Sequence, residues 1–169
     1  ALHPCMASWA PHLTSLLVLS AAFSLLWLVS LKLRNASIVD PFWGSAFVLS
    51  GVTVALADGG GGAGPRRTLA LVLIAVWGLR LSIHLLARNA GHGEDPRYAA
   101  MRGGHGQRFW WVSLFTVFLL QALLAWASSL PVQLAVATPS SSLGLLDAAG
   151  AALWAIGLGF EAVGDWQLS

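Results

Sequence analysis

The segment 69–87 is apolar enough to cross a bilayer, yet it contains Arg80 and His84, with Trp77 one turn before them and Arg88 just after. Residues three or four apart lie above one another on a helix, so Trp77, Arg80, His84 and Arg88 form a single stripe. A guanidinium near the bilayer centre costs about 2.5 to 3.5 kcal/mol on insertion scales, so Arg80 has to face a bundle interior, water or a carboxylate. A lone spanning helix cannot carry it. Arg88 differs, because a long side chain in the last turn reaches the headgroups. Arg80 lies eight residues deeper, about 12 Å at helical rise, beyond that reach. His84 reads equally well as a core histidine or as part of a site.

The rest of the sequence supplies the surrounding helices. Only 9% of its 169 residues are charged, against roughly 25% in a soluble domain, so lipid is the expected solvent. A crossing takes about 20 apolar residues. Five windows come near that length, at 13–31, 41–57, 69–87, 109–130 and 143–169. They predict an all-α, multi-pass transmembrane helix bundle in a single domain. Asp40 reads as the cap of the second helix with Pro41 in its first turn. Phe109, Trp110 and Trp111 read as an aromatic belt opening the fourth, and 131–142 as an uncharged connection. The first twelve residues lack a basic n-region, so the first apolar run is expected to be a retained span.

Lys32, Arg34, Arg88, Arg97, Arg102 and Arg108 fall on one side of five alternating spans, and only Arg66 and Arg67 on the other. The positive-inside rule then places the N-terminus outside and the loops after spans one and three in the cytoplasm. A formal charge of +2 implies no nucleic-acid surface. Cys5 is the only cysteine, which excludes an internal disulfide or a cysteine-based zinc site.

On this topology Glu161 and Asp165 come near the cytoplasmic end of the fifth span. They share a helix face, where like charges require a cation, water or a raised pKa. Basic and acidic groups from three spans thus converge at one interface, and Asp40 either caps its helix or joins them. A headgroup-level pair is the alternative reading of the two carboxylates. His92, Glu94, Asp95 and His105 match no zinc spacing and read as a solvated, glycine-rich loop, so no metal is expected. The glycine run 59–64 reads as a flexible link, since no strand precedes it and no Gly-Lys-Ser/Thr follows. Asn35-Ala36-Ser37 has the glycosylation pattern but faces the cytoplasm, and is expected to be unmodified.

Four groups of residues occur in a fixed order: Asp40-Pro41-Phe42-Trp43-Gly44, Trp77-Gly78-Leu79-Arg80-Leu81, Arg88-Asn89 followed by Gly93-Glu94-Asp95-Pro96-Arg97-Tyr98, and 161–167. Together, from about Asn35 onward, they resemble bacterial membrane proteins of unknown function related to the steroid 5-alpha-reductases. The resemblance implies an enzyme of the bacterial cytoplasmic membrane that reduces a carbon-carbon double bond conjugated to a carbonyl. NADPH would enter from the cytoplasm, and an apolar lipid or steroid-like substrate from the bilayer. By the same resemblance Arg80, Glu161 and Asp165 bind the cofactor, beside a segment that contributes Arg88, Arg97 and Tyr98.

Trp77 stands where the steroid enzymes have a tyrosine. An indole N–H can donate a hydrogen bond but cannot deliver a phenolic proton, so Trp77 is expected to line the cavity. The family continues past the acidic pair with an Arg-His-Pro-Asn-Tyr-type stretch, so a C-terminally truncated, inactive form is expected. Two alternatives stay open: a membrane methyltransferase of the isoprenylcysteine type, and a structural membrane protein whose buried charges pair its helices.

Overall fold

The computed structural model describes residues 9–59 and 64–168, and all regular structure among them is helical. Cys5 and most of the glycine run lie outside the described residues. Helix α1, Ala10–Leu33, has Pro11 in its first turn and ends where Arg34 adopts a left-handed φ of 52° and bonds back to Ser30 O. A short 3-10 turn, Ala36–Ile38, leads into α2, Val39–Ala57, and α3 spans Pro65–Asn89. Then come α4, Pro96–His105; α5, Phe109–Ser113; a π-helical segment, Leu114–Leu119; α6, Leu120–Ala137; and α7, Leu145–Leu168. Five helical segments are long and apolar enough to cross a membrane, the fourth lying within Pro96–Ala137, which fits an integral membrane protein.

Three expectations need correction. Asp40 does not cap α2, because the helix starts one residue earlier at Val39 and places Asp40 inside its first turn. Its carboxylate accepts from Tyr98 Oη at 2.7 Å and Arg97 Nη2 at 3.3 Å instead. Pro131 does not open a connection, because α6 continues through it to Ala137. A proline in a membrane helix is tolerated when side chains satisfy nearby backbone groups. The carbonyl freed by Pro131 is that of Ala127, next to the Trp126 carbonyl to which Ser129 Oγ and Gln133 Nε2 donate at 2.9 and 3.2 Å.

The third correction concerns the glycine-rich loop, part of which is helix α4. Asp95 is its N-cap, accepting the Arg97 N–H at 2.8 Å, and Pro96 follows at the first helical position. Gly106, with φ 54°, reverses the chain. The reversal is evident from Gln121 Nε2, which donates to Tyr98 Oη at 3.2 Å although the two are 23 residues apart. On a straight helix that separation would be about 34 Å. Arg102 stacks over the Phe109 ring at 4.5 Å, so α4 doubles back against α5.

Small residues set the tightest helix pair. A Cβ on Gly44 or on Gly78 would collide with the other's carbonyl oxygen, so only glycine allows α2 and α3 to approach this closely. Ser82 Oγ completes the contact at 2.9 Å from both the N–H and the hydroxyl of Ser45. An apolar core of Leu19, Phe23, Val39, Ala46, Phe118 and Ala122 joins α1, α2, the π segment and α6. Toward the other end of these helices the interior is polar. His12 Nδ1 meets Gln133 Oε1 at 3.0 Å, and Ser50 Oγ lies 2.9 Å from Ser15 Oγ and 3.0 Å from Ser129 Oγ.

Helix α7 is attached differently, since it buries little apolar surface and exposes Leu146, Leu153, Ile156 and Phe160. Ion pairs to α3 hold both of its ends. Arg66 forks onto Asp147 with bonds of 2.7 and 3.0 Å, and Arg80 grips Glu161 and Asp165. The two helices therefore run parallel and in step.

A charged cluster between the third and fifth crossings as the candidate functional site

Gly78 turns one face of α3 to α2, and the stripe of Trp77, Arg80 and His84 on another face meets α7. Arg80 Nη1 and Nη2 donate to Asp165 Oδ2 at 2.7 and 2.8 Å, and Nη2 also reaches Glu161 Oε1 at 2.8 Å. Trp77 Nε1 donates to the other Glu161 oxygen, Oε2, at 2.7 Å, and His84 Nε2 lies 3.5 Å from Asp165 Oδ1. The like-charged pair expected on one helix face is thus held by one guanidinium, one indole and one imidazole. A single donor remains: Arg80 Nε is buried and has no hydrogen-bond partner among the described residues. The Arg80, Glu161 and Asp165 side chains are 25%, 32% and 26% exposed, so the cluster is open on one side.

Arg88, Arg97 and Tyr98 are not in this cluster. Arg97 holds Asp95 through bonds of 3.0 and 3.1 Å and reaches Asp40, while Tyr98 is fixed between Asp40 and Gln121. Arg88 is exposed beside a cavity lined by Ser37, Asn89 and His92. The Gly93-to-Tyr98 motif docks α4 on the bundle. Glu94 Oε1 accepts the Ala36 N–H and Arg102 Nη2, both at 2.7 Å, and the Asp95 N–H donates to Ser37 Oγ at 2.7 Å. The Arg102 guanidinium, opposed by burial and helped by the Ala36 N–H, holds the Glu94 carboxyl below the usual range. Arg97 does the same for Asp95.

The two polar groups are joined by rings. Trp43 Nε1 donates to Gln121 Oε1, the Trp43 and Phe47 rings lie 5.8 Å apart, and Phe47 meets Trp77 edge-on at 5.2 Å. A continuous path of contacts therefore runs from Asp40 and Tyr98 through Gln121, Trp43, Phe47 and Trp77 to Glu161. Sequence reasoning missed Gln121 and Phe47. A lone amide in an apolar span, costly unless bonded, was the available signal for the first. Phe47, four residues after Trp43, had only helical spacing to mark it.

A multi-pass helical membrane protein with a charge cluster sunk between two parallel crossings is the class that this fold and site define. Within it, the chain belongs to the DUF1295 family, described as proteins of unknown function, with the match covering residues 26–169. That family is related to steroid 5-alpha-reductase-like membrane proteins. No curated protein and no solved structure matches the chain.

Proposed function

We propose that the protein is a membrane-embedded, NADPH-dependent reductase of a carbon-carbon double bond conjugated to a carbonyl in an apolar, lipid-like substrate. The observation that carries this reading is the Arg80 cluster, with its unused buried Nε and its open side. The donor set suits a nicotinamide nucleotide: Glu161 and Asp165 can accept from carboxamide and ribose hydroxyl groups, and Arg80 can donate to a carbonyl or phosphate oxygen. NADPH, when bound, supplies the hydride. Arg80, Glu161 and Asp165 would hold and orient it beside the Trp77 and Phe47 rings, with α4, braced by Arg97 and Tyr98, at the end from which the cofactor would enter. Trp77 donates its only N–H to Glu161, so it positions that carboxylate and does not protonate the substrate. On the positive-inside rule this end would face the cytoplasm, and the lipid would supply the substrate.

Titrating the natural protein in membrane vesicles with NADPH, following tryptophan fluorescence, tests the reading. Saturable quenching should weaken at least tenfold in Arg80→Met and in the Glu161→Gln/Asp165→Asn double variant, and a conjugated enone should drive NADPH oxidation. An affinity that ignores both variants would refute the assignment. Binding of S-adenosylmethionine in place of NADPH would favour a methyltransferase.

A further inference from the structure

A groove opens between α1, α2 and α3, on the side of α3 turned away from Arg80. Leu26, Phe42, Leu79 and Ile83 wall about 280 Å³ of it. Through Ile38, Pro41 and Leu86 it continues into a second pocket of about 160 Å³ beside Asn35 and Asn89. From there, past Ser37, Asn89 and Gly93, it reaches a polar cavity of about 550 Å³ flanked by Arg88 and His92. The three adjoining pockets share these residues as walls and together form a cleft that is apolar along the crossing helices and polar at their end.

Charge identifies what fits it. All seven carboxylates in the sequence are held by arginines of the same chain: Asp40 and Asp95 by Arg97, Asp58 by Arg67, Glu94 by Arg102, Asp147 by Arg66, and Glu161 and Asp165 by Arg80. Lys32, Arg34, Arg88 and Arg108 form no ion pair among the described residues, and all four are exposed. Lys32 and Arg88 lie in the last turns of α1 and α3, Arg34 just past α1 and Arg108 just before α5, so they collect at the end of the bundle where the cleft turns polar. Arg88 borders the cleft directly, and Arg34 adjoins Asn35. The side-chain amide nitrogens of Asn35 and Asn89 donate no hydrogen bond among the described residues, since Asn35 uses only its oxygen, accepting from the Ser37 N–H. Glu94 and Asp95 also line the polar cavity, Glu94 paired with Arg102 and Asp95 with Arg97, and the Arg88 charge also acts on Asp95 without forming an ion pair. The mouth thus offers cations and free N–H donors above an apolar trough.

We propose that this cleft binds an anionic phospholipid, its phosphate held by Arg88 and Arg34 with the amides of Asn35 and Asn89, and one acyl chain lying along Leu86, Ile83, Leu79 and Phe42. Basic residues at a membrane surface attract anionic headgroups, and an adjoining apolar groove selects a molecule that carries both parts. The apolar trough lies on the opposite face of α3 from the Arg80 cluster, Arg88 extends the Arg80 stripe at the helix end, and the proposal does not depend on the reductase reading.

Native mass spectrometry of the full chain, purified in detergent and exchanged into equimolar phosphatidylglycerol and phosphatidylcholine, tests it. The wild type should retain phosphatidylglycerol at least fivefold over phosphatidylcholine. The Arg34→Gln/Arg88→Gln variant should retain the two equally. Ile83→Trp fills the trough without altering charge and should lower phosphatidylglycerol retention at least threefold, with Leu79→Phe as a second trough variant and helix content by circular dichroism as the folding control. Equal retention by the wild type would overturn the proposal. So would retention indifferent to both trough variants, which marks surface charge alone, or displacement of the lipid by millimolar inorganic phosphate.

Discussion

Replacing Arg80 with methionine removes the only full cation between Glu161 and Asp165 while keeping most of the side-chain volume. Breaking a fully buried ion pair by deleting one partner costs about 3 to 5 kcal/mol, whereas an exposed pair contributes about 0.2 to 1 kcal/mol. The three side chains here are a quarter to a third exposed, which lowers the figure. Two carboxylates lose their partner together, however, and α7 has little apolar burial to fall back on, which raises it. We expect a loss of about 2 to 4 kcal/mol. It should appear as a lowered midpoint in denaturant titration of the detergent-solubilised protein and as faster amide exchange in the Glu161 half of α7. The Asp147 half should change less, since Arg66 still holds it. Adding Glu161→Gln and Asp165→Asn to Arg80→Met removes the stranded charge and should recover at least half of the loss. A triple variant no more stable than Arg80→Met would show that the arginine acts through packing, and the electrostatic account of α7 docking would fail.

Gly78→Val would drive a side chain into the Gly44 carbonyl and should separate α2 from α3, at a cost of about 3 kcal/mol or more, read from the same denaturant titration; an unchanged midpoint would refute the close approach. Tyr98→Phe takes a phenol donor from the Asp40 carboxylate and should cost about 2 kcal/mol, with Asp40→Asn adding little on top in a double-mutant cycle. Additive losses would separate the two residues. The Glu94 carboxyl is held below its ordinary range, so its contribution is complete above that range and is lost as pH falls through the lowered value. Wild-type melting temperature should therefore drop on acidification, and Glu94→Gln, less stable at neutral pH, should show a shallower drop; parallel curves would remove Glu94 from the acid transition.

The crossings were legible because lipid imposes length and apolarity on a helix, and both are properties of letters. The α3 stripe and the α7 pair were legible for the same reason, since charge is expensive there and has to be matched. Asp40 could be read as a cap or as part of a polar network, because an acidic residue before proline looks the same whether it caps its own helix or binds a distant tyrosine. Pro131 was misread because a proline removes one backbone bond, here to the Ala127 carbonyl, and the apolar residues on both sides carry α6 through it. Helix α4 was hidden by its composition, as its glycines and charges suit a loop until Asp95, Pro96 and Glu94 are seen holding it against the 36–38 turn. The buried bonds of His12 with Gln133 and of Ser15 with Ser50 join helices far apart in sequence, and no local pattern announces them.

The π segment Leu114–Leu119 has a consequence for how the fourth crossing can change. A single surplus residue in a helix turns everything after it by about 100°. Upstream, the phase of the crossing is set where Phe109 meets Arg102 of α4; downstream, Gln121 looks toward Tyr98 while Ser129 and Gln133 look toward Ser50 and His12. The wide turn works as a vernier between these registers. Excising one residue from it would leave an unbroken helix that could keep its upstream contact or its downstream ones, but not both.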